Sequence, residues 1–125
     1  MNFINRSSAT ELYDLAKKIG LENLIIIRKK EFNSVKDRYE NIIINLDDTG
    51  AGSHWVAVNT KKKIYFDSYN QVAPRVISNE YKRLTHNFEL QAIDAEMCGQ
   101  LSILSLYYAS KKKSKDFYKL FKDVY

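Results

Sequence analysis

The chain has 125 residues, a formal net charge of +5 at pH 7 and 45% hydrophobic residues. This length predicts a single domain over residues 1–125. Six Phe, nine Tyr and one Trp, with only four Gly and one Pro, exclude a disordered chain. No apolar run reaches about 18 residues, and residues 1–14 lack the apolar core of a secretory signal, so we expect neither a membrane span nor secretion.

The first half of the chain predicts one helix followed by four strands. Residues 8–19 have a capping-box start, apolar residues at helical spacing and a glycine directly after the last turn. Residues 24–28 (LIIIR) and 41–46 (NIIINL) are short and rich in β-branched side chains, which favours buried strands. Residues 54–58 (HWVAV) and 63–68 (KIYFDS) are predicted to form a hairpin across a lysine-rich turn.

The second half predicts mainly helices. Residues 74–84 are expected to be helical, because Pro74 suits a first turn and apolar residues recur on one side. Residues 88–93 are expected to be extended, and residues 98–109 and 115–125 to form two further helices. The mixture predicts an α+β fold with a small central sheet flanked by helices.

Basic residues cluster in IRKK at 27–30, NTKKK at 59–63 and SKKKSKDFYK at 110–119. Such clusters can attract nucleic acid or an acidic surface, and they can equally be a solvated face. Cys98 is the only cysteine, so an internal disulfide is excluded. A reducing, intracellular setting fits this cysteine content.

The hairpin carries a histidine on one strand and an aspartate on the next. If its turn is centred between Thr60 and Lys61, His54 lies directly opposite Asp67 on one sheet face, within reach of an imidazole–carboxylate hydrogen bond. The same register pairs Val56 with Tyr65 and Val58 with Lys63. A carboxylate on one ring nitrogen leaves the other free to act as a base. The alternative is an ordinary cross-strand polar pair.

Cys98 is expected to begin an apolar helix, where the positive end of the helix dipole stabilises a thiolate. A nearby histidine would complete a thiolate–imidazolium pair. Gly99 removes side-chain bulk beside this sulfur, so a substrate backbone could approach. The backbone N–H of Cys98 and the side-chain amide of Gln91 are candidate donors to an oxyanion. The alternative for Cys98 is a small core residue.

In chain order these features are GSHWVAV at 52–58, IYFDS at 64–68, Gln91 and MCGQLSILSLYYA at 97–109. This order resembles the adenain-like cysteine proteases, of the clan that also holds the SUMO proteases. The N-terminal residues 9–32, the strand and glycine loop of residues 42–58, and the seven-residue spacing from Gln91 to Cys98 are also similar to the adenovirus endopeptidase family. The resemblance covers residues 8–109.

The resemblance implies a cysteine-peptidase fold with the catalytic cysteine at a helix N-terminus. It implies His54 as general base, Asp67 as orienting acid, Cys98 as nucleophile and Gln91 as oxyanion donor. Trp55 is then expected to flank the substrate cleft beside the small Gly99, although core packing is the alternative for this indole. No cofactor is expected for the chemistry itself.

The same resemblance implies a virus-encoded endopeptidase that cleaves capsid or core precursors at small residues, in the virion and inside the host cell. A DNA or peptide activator is implied in the same way, but a disulfide-tethered peptide would consume Cys98, the only thiol. An isopeptidase acting on a ubiquitin-like modifier, and a non-catalytic basic module that binds capsid or nucleic acid, stay open. Neither zinc-site spacing nor a phosphate-binding glycine pattern is present.

Overall fold

The computed structural model describes residues 8–46, 54–69, 71–84 and 98–110. Five strands form one sheet in the order β1-β2-β3-β4-β5. The strands are β1 Leu24–Arg28, β2 Asn41–Asn45, β3 Trp55–Asn59, β4 Ile64–Phe66 and β5 Lys82–Leu84. The helices are α1 Ala9–Ile19, α2 Phe32–Val35, α3 Arg75–Ser78 and α4 Cys98–Ser110, and a 3-10 turn, Lys29–Glu31, precedes α2. The predicted α+β class is confirmed.

Helix α1 begins and ends as its sequence predicts. The Glu11 backbone N–H donates to the Ser8 hydroxyl at 3.2 Å, and the Ser8 N–H donates to the Glu11 carboxylate at 2.8 Å, which completes the capping box. Gly20 has φ of +78°, and the next N–H, from Leu21, donates back to the Ala16 carbonyl at 2.9 Å. These bonds satisfy the last carbonyls of the helix and turn the chain toward β1.

The sheet is mixed, with β1 parallel to β2, β3 antiparallel to both β2 and β4, and β5 parallel to β4. Both faces are covered, which is why β2 reads as an uninterrupted apolar run. One face packs against α1 and α4, with Leu12, Ala16, Ile43, Trp55, Ala57, Phe66, Cys98, Leu101 and Leu106 in its core. The other packs against α2 and α3, with Phe32, Val35, Ile42, Ile44, Val56, Val58, Tyr65 and Ile77 in its core.

The predicted helix over residues 74–84 is wrong in its second half. Helix α3 ends at Ser78, and Lys82–Leu84 instead forms β5 beside β4. The Lys82 backbone N–H donates to the Lys63 carbonyl at 2.8 Å. Hydrogen bonds to the open edge of β4 therefore replace the local hydrogen bonds that a helix would have formed. The short segment Lys29–Val35 also folds into helical turns where no element was predicted, and it buries Phe32.

The predicted hairpin register is wrong by two residues. Val58 pairs with Tyr65 rather than with Lys63, and Ala57 pairs with Phe66. The turn is longer than predicted because Lys63 adopts a left-handed φ of +58° and the Lys62 N–H donates to the Asn59 side-chain oxygen at 2.8 Å. A shift by two leaves every side chain on its predicted face, since the side-chain period of a strand is two.

The predicted extended segment 88–93, the predicted helix 115–125 and the oxyanion candidate Gln91 lie outside the described residues. Within the described part of the chain, no helix is both long and apolar enough to cross a membrane.

Candidate active site

The first two predicted site residues lie where the central hairpin ends. His54 directly precedes β3, and its carbonyl accepts a hydrogen bond from the Leu46 N–H at 3.0 Å, which continues the pairing of β2 with β3. Asp67 directly follows β4. The β3–β4 ladder ends at the pair Ala57–Phe66, so His54 and Asp67 both lie just beyond the paired residues, at the same end of the hairpin.

His54 and Asp67 form a hydrogen-bonded ion pair, with 2.9 Å between His54 Nε2 and Asp67 Oδ1. The same carboxylate oxygen accepts the Tyr69 backbone N–H at 2.8 Å. Asp67 is 1% exposed, so its charge is shielded from water. Two donors on one oxygen hold the carboxylate in place, and the bond at Nε2 leaves Nδ1 as the ring nitrogen available to a reacting group.

The predicted nucleophile enters this cluster from the other side. Cys98 is the first residue of α4, and its sulfur accepts a hydrogen bond from the Trp55 backbone N–H at 3.5 Å. One helical turn later, the Ser102 hydroxyl donates to the Trp55 carbonyl at 3.3 Å. Residues four apart share one face of a helix, so both bonds tie the same face of α4 to the start of β3. Cys98 is fully buried.

The electrostatics of the cluster favour a charged imidazole. Burial lowers the pKa of His54, but hydrogen bonds with Asp67 and with Cys98, and the negative charges of both partners, outweigh it and raise the pKa to about 9. The His54 side chain is 19% exposed, which makes it the member of the three that reaches solvent. An imidazolium between a carboxylate and a sulfur is the arrangement that stabilises a thiolate.

The two predicted substrate-binding residues, Trp55 and Gly99, lie together beside the sulfur. Trp55 is 5% exposed, with its ring in the core between the sheet and α4. A β-carbon at Gly99 would come within 3.0 Å of side-chain carbons of both Trp55 and Leu12. The absence of a side chain at Gly99 therefore lets the first turn of α4 approach β3 closely enough to bring Cys98 to His54. Their role toward substrate stays a prediction.

Tyr69 is a site residue that the sequence analysis missed. Its ring stacks on the His54 imidazole, with 5.1 Å between centroids and 25° between planes. The one available signal was its position two residues after an aspartate, where an Asx turn brings a backbone N–H to the carboxylate. Nothing else in the sequence indicated that this tyrosine lies over the histidine.

Asp67 also acts on the strand that precedes it. Its second oxygen, Oδ2, and the hydroxyl of Tyr65 are buried without a hydrogen-bond partner among the residues that the structure describes. Burial raises the pKa of Tyr65, and the charge of Asp67 raises it further. Tyr65 therefore stays a neutral phenol near the carboxylate.

A separate concavity of about 340 Å³ opens at the other end of α4, lined by Glu22, Glu40, Lys61, Tyr107 and Ser110 among others. Helix α4 has 13 residues, which places this pocket about 18 Å from Cys98 at 1.5 Å of rise per residue. It is therefore not part of the His54 cluster. Over the described residues, no three His, Cys, Asp or Glu side chains are grouped closely enough to hold a metal ion.

No protein-family model, curated protein or solved structure matches this chain. The site itself brings together one thiol, one imidazole and one carboxylate, from α4 and from the ends of β3 and β4.

Proposed function

We propose that the protein is a cysteine endopeptidase in which Cys98, His54 and Asp67 act as nucleophile, base and orienting acid. The observation that carries the proposal is the position of the His54 ring, which hydrogen-bonds with the buried Asp67 carboxylate at 2.9 Å and also with Cys98. The sulfur and the carboxylate lie 31 positions apart in sequence, so a chance local motif does not explain their shared contact with one imidazole.

The proposed reaction begins from the thiolate–imidazolium pair. Cys98 Sγ attacks a peptide carbonyl, and the C–N bond breaks as the imidazolium gives its proton to the leaving amine. The acyl-enzyme thioester remains. Neutral His54 then takes a proton from water, the resulting hydroxide attacks the thioester, and a carboxylic acid leaves while the sulfur regains its negative charge. These steps require no cofactor.

The developing oxyanion requires donors at the start of α4. The backbone N–H of Cys98 belongs to the first turn of α4, at the positive end of the helix dipole. Gln91, by its spacing from Cys98, stays the proposed second donor. The N–H of Trp55 already donates to the sulfur at 3.5 Å, which stabilises the thiolate in the resting enzyme.

By resemblance, we propose a virus-encoded maturation protease of the adenain-like family, with the corresponding cysteine-peptidase fold. Its substrates are capsid or core precursors with small residues at the cut site, and it acts in the virion and inside the host cell. The net charge of +5 is compatible with a nucleic-acid activator.

The test is covalent labelling with a peptide that ends in a glycine-based electrophile, followed by mass spectrometry. Modification confined to Cys98 and lost in His54→Ala is expected, because the attacking thiolate depends on the imidazolium. Cleavage of Gly-Gly-containing capsid peptides, compared with cleavage of ubiquitin-like-modifier conjugates, then separates the endopeptidase from an isopeptidase. Turnover retained in Cys98→Ala would end the proposal.

A further inference from the structure

Tyr69 contacts both members of the charged pair at once. Its backbone N–H donates to Asp67 Oδ1 at 2.8 Å, and its ring stacks on His54 at 5.1 Å. It is half-buried and packs against the core between the sheet and α4. A residue held at both its main chain and its ring has little freedom to leave the imidazole.

The stacked ring has a definite electrostatic consequence. The face of a phenol ring carries partial negative charge and attracts a cation within about 6 Å of its centroid. At 5.1 Å and 25° the Tyr69 ring presents that face to His54. It also covers one side of the imidazole, which restricts rotation of the ring away from the carboxylate.

We propose that Tyr69 is the positioning residue of this site, whose ring holds His54 in the plane between Asp67 and Cys98 and favours its charged form. The inference rests on the proposed cysteine-peptidase chemistry and adds a component that neither the triad nor the resemblance includes. Among the residues that the structure describes, the groups that face His54 are the Asp67 carboxylate after β4, the Cys98 sulfur on α4 and the Tyr69 ring.

The test compares Tyr69→Leu with Tyr69→Phe. Leucine keeps an apolar side chain and the backbone N–H to Asp67 but removes the aromatic face, whereas phenylalanine keeps that face and removes only the hydroxyl. Tyr107→Leu is the matched control, because it makes the same change on α4 at the distant pocket. Two readouts need no substrate: the rate of Cys98 alkylation by iodoacetamide across pH, and the NMR titration of His54.

We expect the alkylation rate at pH 7 to fall about threefold to tenfold in Tyr69→Leu, and the pKa of His54 to move down from about 9 toward its ordinary value. Tyr69→Phe and Tyr107→Leu should behave like the unchanged protein. His86 is the only other histidine, so it serves as an internal reference in the titration. If Tyr69→Leu does not fold, Tyr69→Met removes the same face with a more adaptable side chain and carries the same expectation.

The outcomes separate this inference from the proposed function. Suppose that Cys98 of the unchanged protein reacts at an ordinary rate, with the same pH profile as in His54→Ala. The protein then has no thiolate–imidazolium pair, and both the proposed function and the role of Tyr69 are overturned. An ion pair that is equally strong in Tyr69→Leu overturns only the role of Tyr69. Equal losses in Tyr69→Leu and Tyr69→Phe also overturn it, because the hydroxyl and not the aromatic face would then be responsible.

Discussion

Strand β3 has a buried polar cluster at each end. At its start, His54 bonds with Asp67 and Cys98. At its other end, Asn59 is 1% exposed and lies opposite Asn41, which is 2% exposed. Both clusters lie at the ends of neighbouring strands, yet only the first contains titratable side chains.

The asparagine cluster forms a continuous chain of neutral hydrogen bonds. The Lys62 N–H donates to Asn59 Oδ1 at 2.8 Å, Asn59 Nδ2 donates to Asn41 Oδ1 at 3.1 Å, and Asn41 Nδ2 donates to the Glu22 carbonyl at 2.8 Å. These bonds tie the β3–β4 turn to β2 and to the start of β1. Buried amides bonded in this way specify a structure and have no reactive atom.

The histidine cluster, unlike the asparagine cluster, is neither neutral nor fully hydrogen-bonded. Its members are titratable, the pKa of His54 is raised to about 9, and Asp67 Oδ2 has no partner among the described residues. Shifted ionisation within a buried group of side chains is typical of a functional site. Comparison of the two ends therefore separates a neutral polar cluster that holds the fold from a charged one that contains the groups required by the proposed chemistry.

The largest expected effect comes from removing the imidazole. In His54→Ala, alkylation of Cys98 at pH 7 should slow by about tenfold to a hundredfold, because a thiol without its imidazolium partner is only a few per cent ionised at that pH. The measurement is the pseudo-first-order rate with iodoacetamide. Asn59→Ala is the control at the other end of β3 and should leave the rate unchanged; an equal loss in both variants would show that the two ends are not distinct.

The reciprocal experiment is a measurement of stability. Asn59→Ala leaves Asn41 Oδ1 and the Lys62 N–H without their partner, so the free energy of unfolding should fall by about 1–3 kcal/mol. Urea unfolding followed by the fluorescence of Trp55, the only tryptophan, reports the change. A double-mutant cycle with Asn41→Ala should show coupling between the two sites, and strictly additive losses would contradict the network.

The pH dependence of stability should also distinguish the two ends. The folded state raises the pKa of His54 from 6.5 to about 9, so it binds this proton more tightly than the unfolded chain does. The stabilising contribution of this proton to the free energy of unfolding is complete below about pH 6.5 and is lost as the pH rises through about 9. The stability advantage of the unchanged protein over His54→Gln, measured as the difference in unfolding free energy, should therefore decrease between about pH 6.5 and 9. The corresponding difference for Asn59→Ala should not change over this range.

The smallest expected effect concerns Lys62, which links the asparagine end of β3 to α4. Its ammonium donates to the Ala109 carbonyl in the last turn of α4, where the helix dipole favours a positive charge. Lys62→Met should lower the free energy of unfolding by about 0.3–1 kcal/mol, and less at high salt. Lys61→Met is the matched control, since no hydrogen bond or ion pair is described for Lys61.

Much of the fold follows from local patterns. The capping box of α1, the left-handed Gly20, the apolar strands and the start of α4 at Cys98 are all predicted from a few neighbouring residues, because caps and side-chain periodicity are local properties. The end of α3 and the existence of β5 are not, because residues 82–84 pair with β4, which lies 18 positions earlier in the chain.

The candidate site shows the same division. The contact between His54 and Asp67 was predicted through a register that is wrong by two residues, and it survives because a shift by two preserves the face of the strand. The ring that covers the histidine belongs to Tyr69, which lies in the turn after Asp67 and was not predicted.

By itself, the sequence determined which chemical groups are present and which strand face or helix end each occupies, since these depend on short-range periodicity and capping. Only the tertiary structure decided which of these groups meet. The packing of Gly99 against Trp55 and Leu12 brings the first turn of α4 to β3, and the turn after Asp67 brings the Tyr69 ring over His54. Both depend on contacts between residues distant in the chain, which no local pattern encodes.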